Sequence, residues 1–355
     1  MKPNPEAESS ATLTVAAKDR ILVLAPHPDD ESVATAGLLM AARRVGAAVR
    51  LICMTDGDNN PWAQRGFERR LWIGARDRAR FAAIRREETQ AALAVLGVSG
   101  DEVGFLALPD QGVTGLLLRS SSRITSAVRA EIAAFAPTLM VLPSRTDLHP
   151  DHSATAVVAE LALESSPAPG PAPQLLRYLV HNSGVRRTRV VPVRLVLDAA
   201  SQTRKHQAIA CHGSQLFWRR SFLFSFAAAT EPYFDEEPAV LHPIGELTAR
   251  GESFTVAIRS RHLARAFGRH SLALVGSDLA GHAFSWLVAL PALRGPAPLR
   301  DACDGSVVAV GSFEGRPSHG HLVIPRSVLP RFGPLFAKLE HSFGFFDEAG
   351  WNRLR

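Results

Sequence analysis

The chain of 355 residues is long enough for one large domain or two, and its 46% hydrophobic and 21% charged residues are typical of globular proteins. No apolar run reaches the roughly 20 residues that a membrane-spanning helix needs. Residues 1–18 lack the basic-then-apolar order of a signal peptide, so we expect a disordered tail there and no transmembrane segment.

The net charge of +6 comes almost entirely from arginine. The arginines are spread along the chain without a recognisable RNA or DNA motif, so we expect no nucleic-acid partner. Peripheral contact with a phosphorylated or lipid-linked substrate stays open. The three cysteines, Cys53, Cys211 and Cys303, are scattered and odd in number, which favours a reducing compartment and a cytoplasmic location.

Strands and helices alternate from about Arg20 to Cys211. This alternation predicts an α/β domain with a mostly parallel sheet and helices on both faces. Branched apolar runs mark the strands, and apolar residues three or four apart mark the helices. The predicted strands are 21–25, 48–55, 101–108, 138–143, 175–181 and 193–197, and the predicted helices are 31–46, 81–96, 121–135, 153–164 and 199–211.

Two segments of this half differ in composition. Residues 59–80 form an irregular insert that carries Trp62, Phe67 and Trp72 among many arginines. These aromatic residues either stack on a sugar ring or pack the insert itself, and the sequence leaves both interpretations open. Residues 165–173 are rich in proline and alanine and are predicted to be a loop.

The pattern changes from about Tyr233. Short β-like runs follow at irregular intervals, and the first amphipathic helix is expected only around 329–341. We therefore predict an α/β domain over 19–232 and a smaller β-rich region over 233–355. The β-like runs are 254–260, 271–276, 285–290, 306–310 and 321–324.

Two short motifs follow predicted buried strands. Pro26-His27-Pro28-Asp29-Asp30-Glu31 follows the first strand, and His149-Pro150-Asp151-His152 follows the strand at 138–143. Either motif alone can be a turn that caps the next helix. Because parallel strands bring their carboxyl ends to one edge of the sheet, the two motifs together predict a shared metal site.

The residue types suggest individual roles. His27, Asp30 and His152 offer two imidazoles and a carboxylate, which with an open position is the pattern of a catalytic zinc site. Asp29 then lies beside the metal and can take a proton from a water held there. His149 can face the same cavity, and Asp151 can orient an imidazole through its second nitrogen.

At these residues the sequence resembles the PIG-L/LmbE-like N-acetylglucosaminyl deacetylases. The likeness extends over about residues 20–230. It includes the Arg85 to Gly97 helix, Leu108-Pro109-Asp110, and Lys205 with Cys211-His212-Gly213-Ser214-Gln215. The resemblance implies a Rossmann-like fold, a zinc cofactor and removal of acetyl groups from N-acetylated amino sugars.

The resemblance also implies residue roles. His27, Asp30 and His152 would bind one zinc ion per chain, and Asp29 would be the general base. His149, supported by Asp151, would steady the oxyanion, and either His149 or Asp29 would protonate the leaving amine.

Three further positions carry weaker expectations. Arg85 and Asp110 match positions that contact the sugar, although a helix-surface ion pair and a turn cap would also account for them. His212 is either a core histidine or a residue near the site. The insert and the region beyond Tyr233 have no counterpart in the family pattern, so we expect substrate choice to lie there.

The expected function is a metal-dependent hydrolase that removes an N-acetyl group from an amino-sugar-containing substrate. The alternatives are an amidase for another N-acyl conjugate, such as a thiol conjugate or a glycosylated antibiotic, and a non-catalytic carbohydrate-binding protein. Nitrogen and oxygen ligands accept Fe²⁺ as well as Zn²⁺. The sequence leaves the sugar, its carrier and the oligomeric state open.

Overall fold

The computed structural model describes residues 11–164, 171–181, 190–238, 242–259, 270–291, 293–316, 319–329, 332–341 and 345–354. Its first half is built on a five-stranded, entirely parallel sheet in the order β3-β2-β1-β4-β5. This confirms the predicted α/β class. The strands are β1 Arg20–Ala25, β2 Ala48–Thr55, β3 Val103–Leu108, β4 Leu139–Pro143 and β5 Gln174–Tyr178.

Helices cover both faces of this sheet, because successive side chains of β1 enter two different cores. Ile21, Val23 and Ala25 belong to one core, and Leu22 and Leu24 belong to the other. The helices are α1 Asp30–Ala34, α2 Ala36–Val45, α3 Pro61–Glu68, α4 Ala75–Leu96, α5 Val113–Arg119, α6 Ser121–Phe135, α7 Pro150–Glu164, α8 Ala199–Ala210 and α9 Gly213–Phe224. Among the described helices, none is long and apolar enough to cross a bilayer.

The insert at 59–80 is not irregular, and that expectation is wrong. It contains α3 and the first turns of α4. The residues that begin α4, Ala75 to Arg80, carry no apolar stripe, so the spacing that marks an amphipathic helix is absent there. The predicted helix over 31–46 is also divided at Thr35, and α5 and α9 were not predicted.

Part of the expected N-terminal tail is ordered. Thr12 forms a β-bridge with Arg194, and the Leu13 amide donates to the Arg194 carbonyl at 2.9 Å. The expectation of disorder is therefore wrong for this part, and residues 1–10 lie outside the described residues. Arg194 belongs to β6 Val193–Val196, which pairs antiparallel with β7 Thr230–Tyr233. The predicted loop at 165–173 is described only from residue 171.

The second half is a nine-stranded antiparallel sheet in the order β16-β15-β10-β11-β12-β13-β14-β9-β8. Its two edge strands approach each other, since the Asn352 side-chain amide donates to the Ile244 carbonyl at 2.9 Å. The predicted β-rich region is thus confirmed. The strands are β8 Ile244–Arg250, β9 Ser253–Arg259, β10 His270–Asp278, β11 Ala283–Ala289, β12 Arg294–Asp301, β13 Val307–Arg316, β14 His319–Pro325, β15 Phe332–His341 and β16 Asn352–Leu354. Ser260, at the end of one predicted run, lies outside the described residues.

The helix expected around 329–341 is instead strand β15. Leu335, Ala337 and Leu339 face the core of the nine-stranded sheet, whereas Phe336 points into the core beside α7 and Lys338 is also buried. Because both faces of the strand are buried, its sequence shows no polar–apolar alternation. A continuous apolar run of this kind does not distinguish a strand from a helix.

The two halves share a core. Ala273, Val275, Phe336 and Trp351 from the C-terminal sheet pack with residues of α5, α6 and α7. The Trp351 amide also donates to the Arg145 carbonyl at 2.8 Å. Helix α7 is therefore enclosed by the parallel sheet on one side and by the C-terminal sheet on the other.

A buried ion pair joins α8 to β7, and its carboxylate also contacts the start of α2. Lys205 Nζ lies 2.6 Å from Glu231 Oε1, and both side chains are almost completely buried. Glu231 also accepts the backbone amides of Gly37 and Leu38 at 2.7 and 3.1 Å, and so caps the start of α2.

Replacing Glu231 by glutamine should lower the free energy of unfolding by about 3–5 kcal/mol, because Lys205 would be left buried without a counter-charge. Urea denaturation followed by circular dichroism measures this. Arg50→Gln is the control, because its partly exposed pair with Glu131 at 3.1 Å should contribute about 0–1 kcal/mol. Equal losses in the two variants would contradict this account of the buried pair.

Candidate active site

The two histidine motifs meet at the carboxyl ends of β1 and β4. These strands are neighbours in the sheet, but the chain passes through β2 and β3 between them. This is the topological switch point of an open α/β sheet, where the crossover connections diverge and leave a crevice. The sheet order therefore brings His27 and Asp30 to His152, as the sequence predicted.

The three predicted ligands present their donor atoms to one point. Nδ1 of His27 lies 3.5 Å from Oδ2 of Asp30 and 3.3 Å from Nε2 of His152. The remaining pair, Asp30 Oδ2 and His152 Nε2, is 3.3 Å apart. Ligands about 2.0–2.2 Å from a tetrahedral zinc ion lie roughly 3.3–3.6 Å from one another, so the donor set fits such an ion.

Further acidic groups surround the two histidines. Asp110 and Asp151 lie 3.2 and 3.3 Å from Nε2 of His27, and Asp147 lies 3.3 Å from Nδ1 of His152. The described residues contain three groups whose ligand atoms all lie within 4.8 Å of one another. The groups are His27 with His149 and His152, Asp147 with His152 and His181, and His27 with Asp110 and Asp151. Carboxylates that bond the second nitrogen of a ligating histidine fix its orientation.

The Asp151 carboxylate orients His27 rather than His149. Besides its contact with His27, it accepts the Gln111 and Val113 amides at 2.7 and 3.0 Å. The imidazole of His149 instead accepts the Asp151 backbone amide at Nδ1, over 3.2 Å. The Asp151 carboxylate thus contacts a different histidine from the one that the resemblance implied.

Asp29 is held beside the three ligand atoms by Arg85. Nη2 of Arg85 lies 3.1 Å from Oδ2 of Asp29, and the guanidinium also donates to the carbonyls of Gly57, at 2.8 Å, and Pro28. Any Cβ at position 57 would collide with this guanidinium, so the approach requires glycine. Arg85 is only 3% exposed, which rules out a surface ion pair.

The backbone of Asp29 is strained. Its φ of 118° lies in a region that side-chain-bearing residues rarely adopt, at a cost of order 1–3 kcal/mol. Two contacts stabilise this conformation: the ion pair of the side chain with Arg85, and the hydrogen bond that the Asp29 backbone amide donates to Glu31 Oε2 over 3.0 Å. Such strain places the Asp29 carboxylate at the cavity rather than in the helix that follows.

Burial and nearby charges shift the pKa values of the site in opposite directions. Burial raises the pKa of Asp29 to about 6, although Arg85 opposes this shift. Burial lowers the pKa of His152, but attraction to Asp30 and Asp147 outweighs it and raises the pKa to about 9. Burial and the repulsion of neighbouring histidines hold the pKa of His149 well below its usual range.

The raised pKa of His152 shows that the site attracts positive charge. Burial also lowers the pKa of His27, but hydrogen bonds to Asp110, Asp151 and Asp30 raise it well above its ordinary value. A cluster of buried carboxylates that raises the pKa of two histidines has a strongly negative potential. A divalent cation would satisfy that potential while leaving both imidazoles neutral.

His27, Asp29, Asp30 and His152 line a cavity of about 380 Å³. Arg85, Asp110 and His149 reach it, whereas His212 does not. His212 is fully buried, with Nε2 3.0 Å from Glu31 and 2.9 Å from the Ser32 hydroxyl, which supports its interpretation as a core histidine.

The aromatic residues of the insert have different surroundings. Trp62 is 62% exposed and stacks on Trp218, which lines the cavity, at 6.4 Å between ring centroids. Phe67 packs on Phe81, and Trp72 is 88% exposed. The packing interpretation therefore describes Phe67, while Trp62 contributes to the rim of the cavity.

Two residues near the ligand atoms were not predicted. Asp147 accepts the amides of Val180 and His181 at 2.9 and 3.0 Å, and Nδ1 of His181 lies 3.5 Å from it. His181 follows β5, the strand beside β4, so the rule that strand ends converge applied to it as well. The sequence did not show that β5 is the neighbour of β4, and His181 lacks an adjacent carboxylate motif.

Comparison with known proteins agrees with the sequence pattern. Residues 22–163 match the family described as PIG-L: GlcNAc-PI de-N-acetylase. A 1D-myo-inositol 2-acetamido-2-deoxy-alpha-D-glucopyranoside deacetylase of Mycobacterium sp. (strain KMS) is 32% identical over 164 residues, which are 41% of this chain and 50% of the relative. The protein of the same name from Corynebacterium kroppenstedtii is 27% identical over 165 residues, 41% of this chain and 42% of the relative.

The chain spans about half the length of the curated relatives it matches. Among solved structures, the N,N'-diacetylchitobiose deacetylase of Pyrococcus horikoshii aligns with a TM-score of 0.46 and 20% identity, over 60% of this chain and 82% of that one. The family match and the curated relatives confirm the resemblance drawn from the two histidine motifs. Residues 22–163 thus match the PIG-L family model, and over this segment the chain resembles the PIG-L/LmbE-like deacetylases.

Proposed function

We propose that this chain is a metal-dependent hydrolase that removes the N-acetyl group of an amino-sugar-containing substrate. One observation carries the proposal. The ligand atoms of His27, Asp30 and His152 converge on one point, and the nearby carboxylate of Asp29 is held by Arg85. The curated relatives are named as deacetylases of an acetamido sugar, which supports acetyl as the group removed.

His27, Asp30 and His152 would hold the divalent cation. We propose zinc, with ferrous iron as the alternative because the donor set accepts both. When bound, the ion supplies Lewis-acid chemistry, polarising the acetamide carbonyl and lowering the pKa of a water molecule. Asp110, Asp151 and Asp147 keep the two imidazoles oriented for this task.

Asp29 would act as the general base. It lines the cavity, and its Oδ2 is fixed by Arg85 at 3.1 Å. It accepts a proton from the water that attacks the acetamide carbon. A base whose pKa lies closer to neutrality than that of an ordinary carboxylate accepts this proton more effectively.

His149 would stabilise the oxygen that becomes negatively charged during the attack. The Asp151 amide donates to Nδ1, so the proton of the neutral imidazole resides on Nε2. Nε2 can therefore donate a hydrogen bond into the cavity. The carbon–nitrogen bond then breaks, and the nitrogen receives the proton that Asp29 took from the water. His149 would be the donor instead only if it entered the reaction as an imidazolium. Acetate and a free amine leave.

Arg85 and Asp110 would act mainly as positioning residues. The guanidinium of Arg85 holds Asp29, and Asp110 contacts His27 while accepting the Asn59 amide at 2.7 Å. Both also line the cavity, so a direct contact of either residue with the sugar stays a prediction.

Two further proposals concern the cellular compartment and the domain boundaries. We propose a reducing compartment such as the cytoplasm, in agreement with the free state of Cys53, Cys211 and Cys303. We also propose that the deacetylase domain comprises residues 19–232 and that 233–355 is a second unit. In the structure, β7 ends at Tyr233 and β8 begins at Ile244.

Acetate release should depend on the metal. The purified protein should release acetate from members of a panel of N-acetylated amino sugars, lose this activity after chelation, and regain it with Zn²⁺ but not with Mg²⁺, which prefers oxygen ligands. A coupled acetate assay and elemental analysis measure activity and metal content together. Full activity in metal-free protein would refute the proposal.

Asp29→Asn should lower kcat on the order of 10²- to 10⁴-fold, because the amide cannot accept the proton, while about one zinc ion per chain stays bound. Steady-state kinetics and elemental analysis of the same sample test this. Asp304→Asn, a change at an exposed turn outside the cavity, serves as the control and should leave both quantities as in the wild type. Unimpaired turnover in Asp29→Asn would remove this residue from the mechanism.

Asp147→Asn should weaken zinc binding about 10- to 100-fold, because His152 loses the carboxylate beside its second nitrogen. Competition with a fluorescent chelator gives the dissociation constant. Asp56→Asn is the matched control, since Asp56 pairs with Arg86 at 2.7 Å and contacts none of the three proposed ligands. If both variants bind zinc like the wild type, Asp147 does not orient His152.

A further inference from the structure

The C-terminal unit reaches into the cavity of the deacetylase domain. Phe345 and Phe346 line this cavity, although they lie outside the matched PIG-L domain. The Phe345 ring lies 4.9 Å from the ring of His149, and the Phe346 ring lies 5.6 Å from that of His181. With Phe222, whose ring stacks on His181 at 5.8 Å, they form an aromatic wall beside the ligand atoms.

The next residue anchors this wall on both units. Asp347 lies 2.8 Å from Nζ of Lys338 on β15, and its other oxygen accepts the Ser153 hydroxyl of α7 at 3.0 Å. Its amide donates to the Leu148 carbonyl at 2.8 Å. Because Lys338 and Asp347 are buried, these contacts fix Phe345 and Phe346 beside the His149–His152 motif.

The remaining lining of the cavity combines polar and apolar side chains. Asn60, Gln111 and Gln215 supply amide groups, and the Asn60 amide donates to Gln215 at 3.2 Å. Val180 and Leu223 add apolar side chains to the aromatic wall, and Trp218 stacks on the exposed Trp62 at the rim. Arg219 lies against the Phe222 ring, with its Cζ 4.0 Å from the ring centroid. Such a cavity offers hydrogen bonds to a sugar and an apolar surface to another part of the same ligand.

We propose that Phe345 and Phe346 select the substrate, and that the preferred substrate is an N-acetylated amino sugar linked to an apolar aglycone. Both phenylalanines are partly exposed, at 41% and 45%, so the wall has apolar surface that a ligand can cover. Covering that surface is favourable, whereas a fully polar glycoside would leave it in water. This inference rests on the proposed deacetylase function and adds its substrate class.

The test compares two glycosides that differ only in the aglycone, phenyl and methyl N-acetyl-β-D-glucosaminide. The wild-type zinc enzyme should favour the phenyl glycoside in kcat/KM about tenfold, mainly through KM. In the double variant Phe345→Ala/Phe346→Ala this preference should fall to about one, since the aglycone loses its contact surface. Both glycosides can also be titrated calorimetrically into zinc-loaded Asp29→Asn protein, with and without the two Phe→Ala changes. The ratio of the dissociation constants of the methyl and phenyl glycosides should be about ten with both rings present and about one without them.

Leu279→Ala is the control, because Leu279 is an apolar residue of the same unit that is 67% exposed and does not line the cavity. It should keep the wild-type preference. Single Phe345→Ala and Phe346→Ala variants, checked by thermal unfolding, replace the double variant if that protein does not fold. Each should lose part of the preference.

The outcomes separate this inference from the proposed function. Wild-type enzyme that treats both glycosides alike, or a preference that survives removal of both rings, would overturn the selection by Phe345 and Phe346. Absence of acetate release from either glycoside would count against the proposed function instead. In that case the calorimetric ratio still decides whether the wall binds an apolar aglycone.

Discussion

The structure depends on the concentration of negative charge around two buried imidazoles. Buried carboxylates are costly unless they are paired, and here each one contacts His27 or His152. Backbone amides from the loops after the parallel strands donate to several of these carboxylates, so the loop conformations and the charge cluster stabilise each other. The remaining requirement is a positive charge, which the proposed divalent cation would supply while both imidazoles stay neutral. The four carboxylates are Asp30, Asp110, Asp147 and Asp151.

The order of the strands and the packing of α7 convert this local chemistry into an enclosed cavity. β1 and β4 bring the two motifs together, and the C-terminal sheet then covers the outer side of α7. The two halves of the chain thus contribute different parts of the site. The parallel sheet positions the proposed ligands, and the segment between β15 and β16 places Phe345 and Phe346 in the lining beside them.

The convergence of His27, Asp30 and His152 could be predicted because it depends on local motifs and on one general rule, that parallel strands end at the same edge of the sheet. The partners of those ligands depend on which strands are neighbours. The contact of Asp147 with His152 and that of Asp151 with His27 were therefore accessible only from the structure. β15 was missed because burial on both faces removes the alternation that identifies a strand, and α3 was missed because its aromatic residues lie partly at the surface. Nothing local in the sequence connects Phe345 and Phe346 to a cavity whose other lining residues lie between His27 and Leu223.

Helix α7 carries His152 and, next to it, Ser153, which bonds Asp347 of the C-terminal unit at 3.0 Å. A cation held by His152 and the docking of the antiparallel sheet therefore favour the same position of this helix. Two events that favour one state are linked, so each strengthens the other by the same free energy. If His152 holds a metal as proposed, the C-terminal sheet would be its thermodynamic partner, and loosening the sheet would weaken metal binding without any change in the ligands themselves.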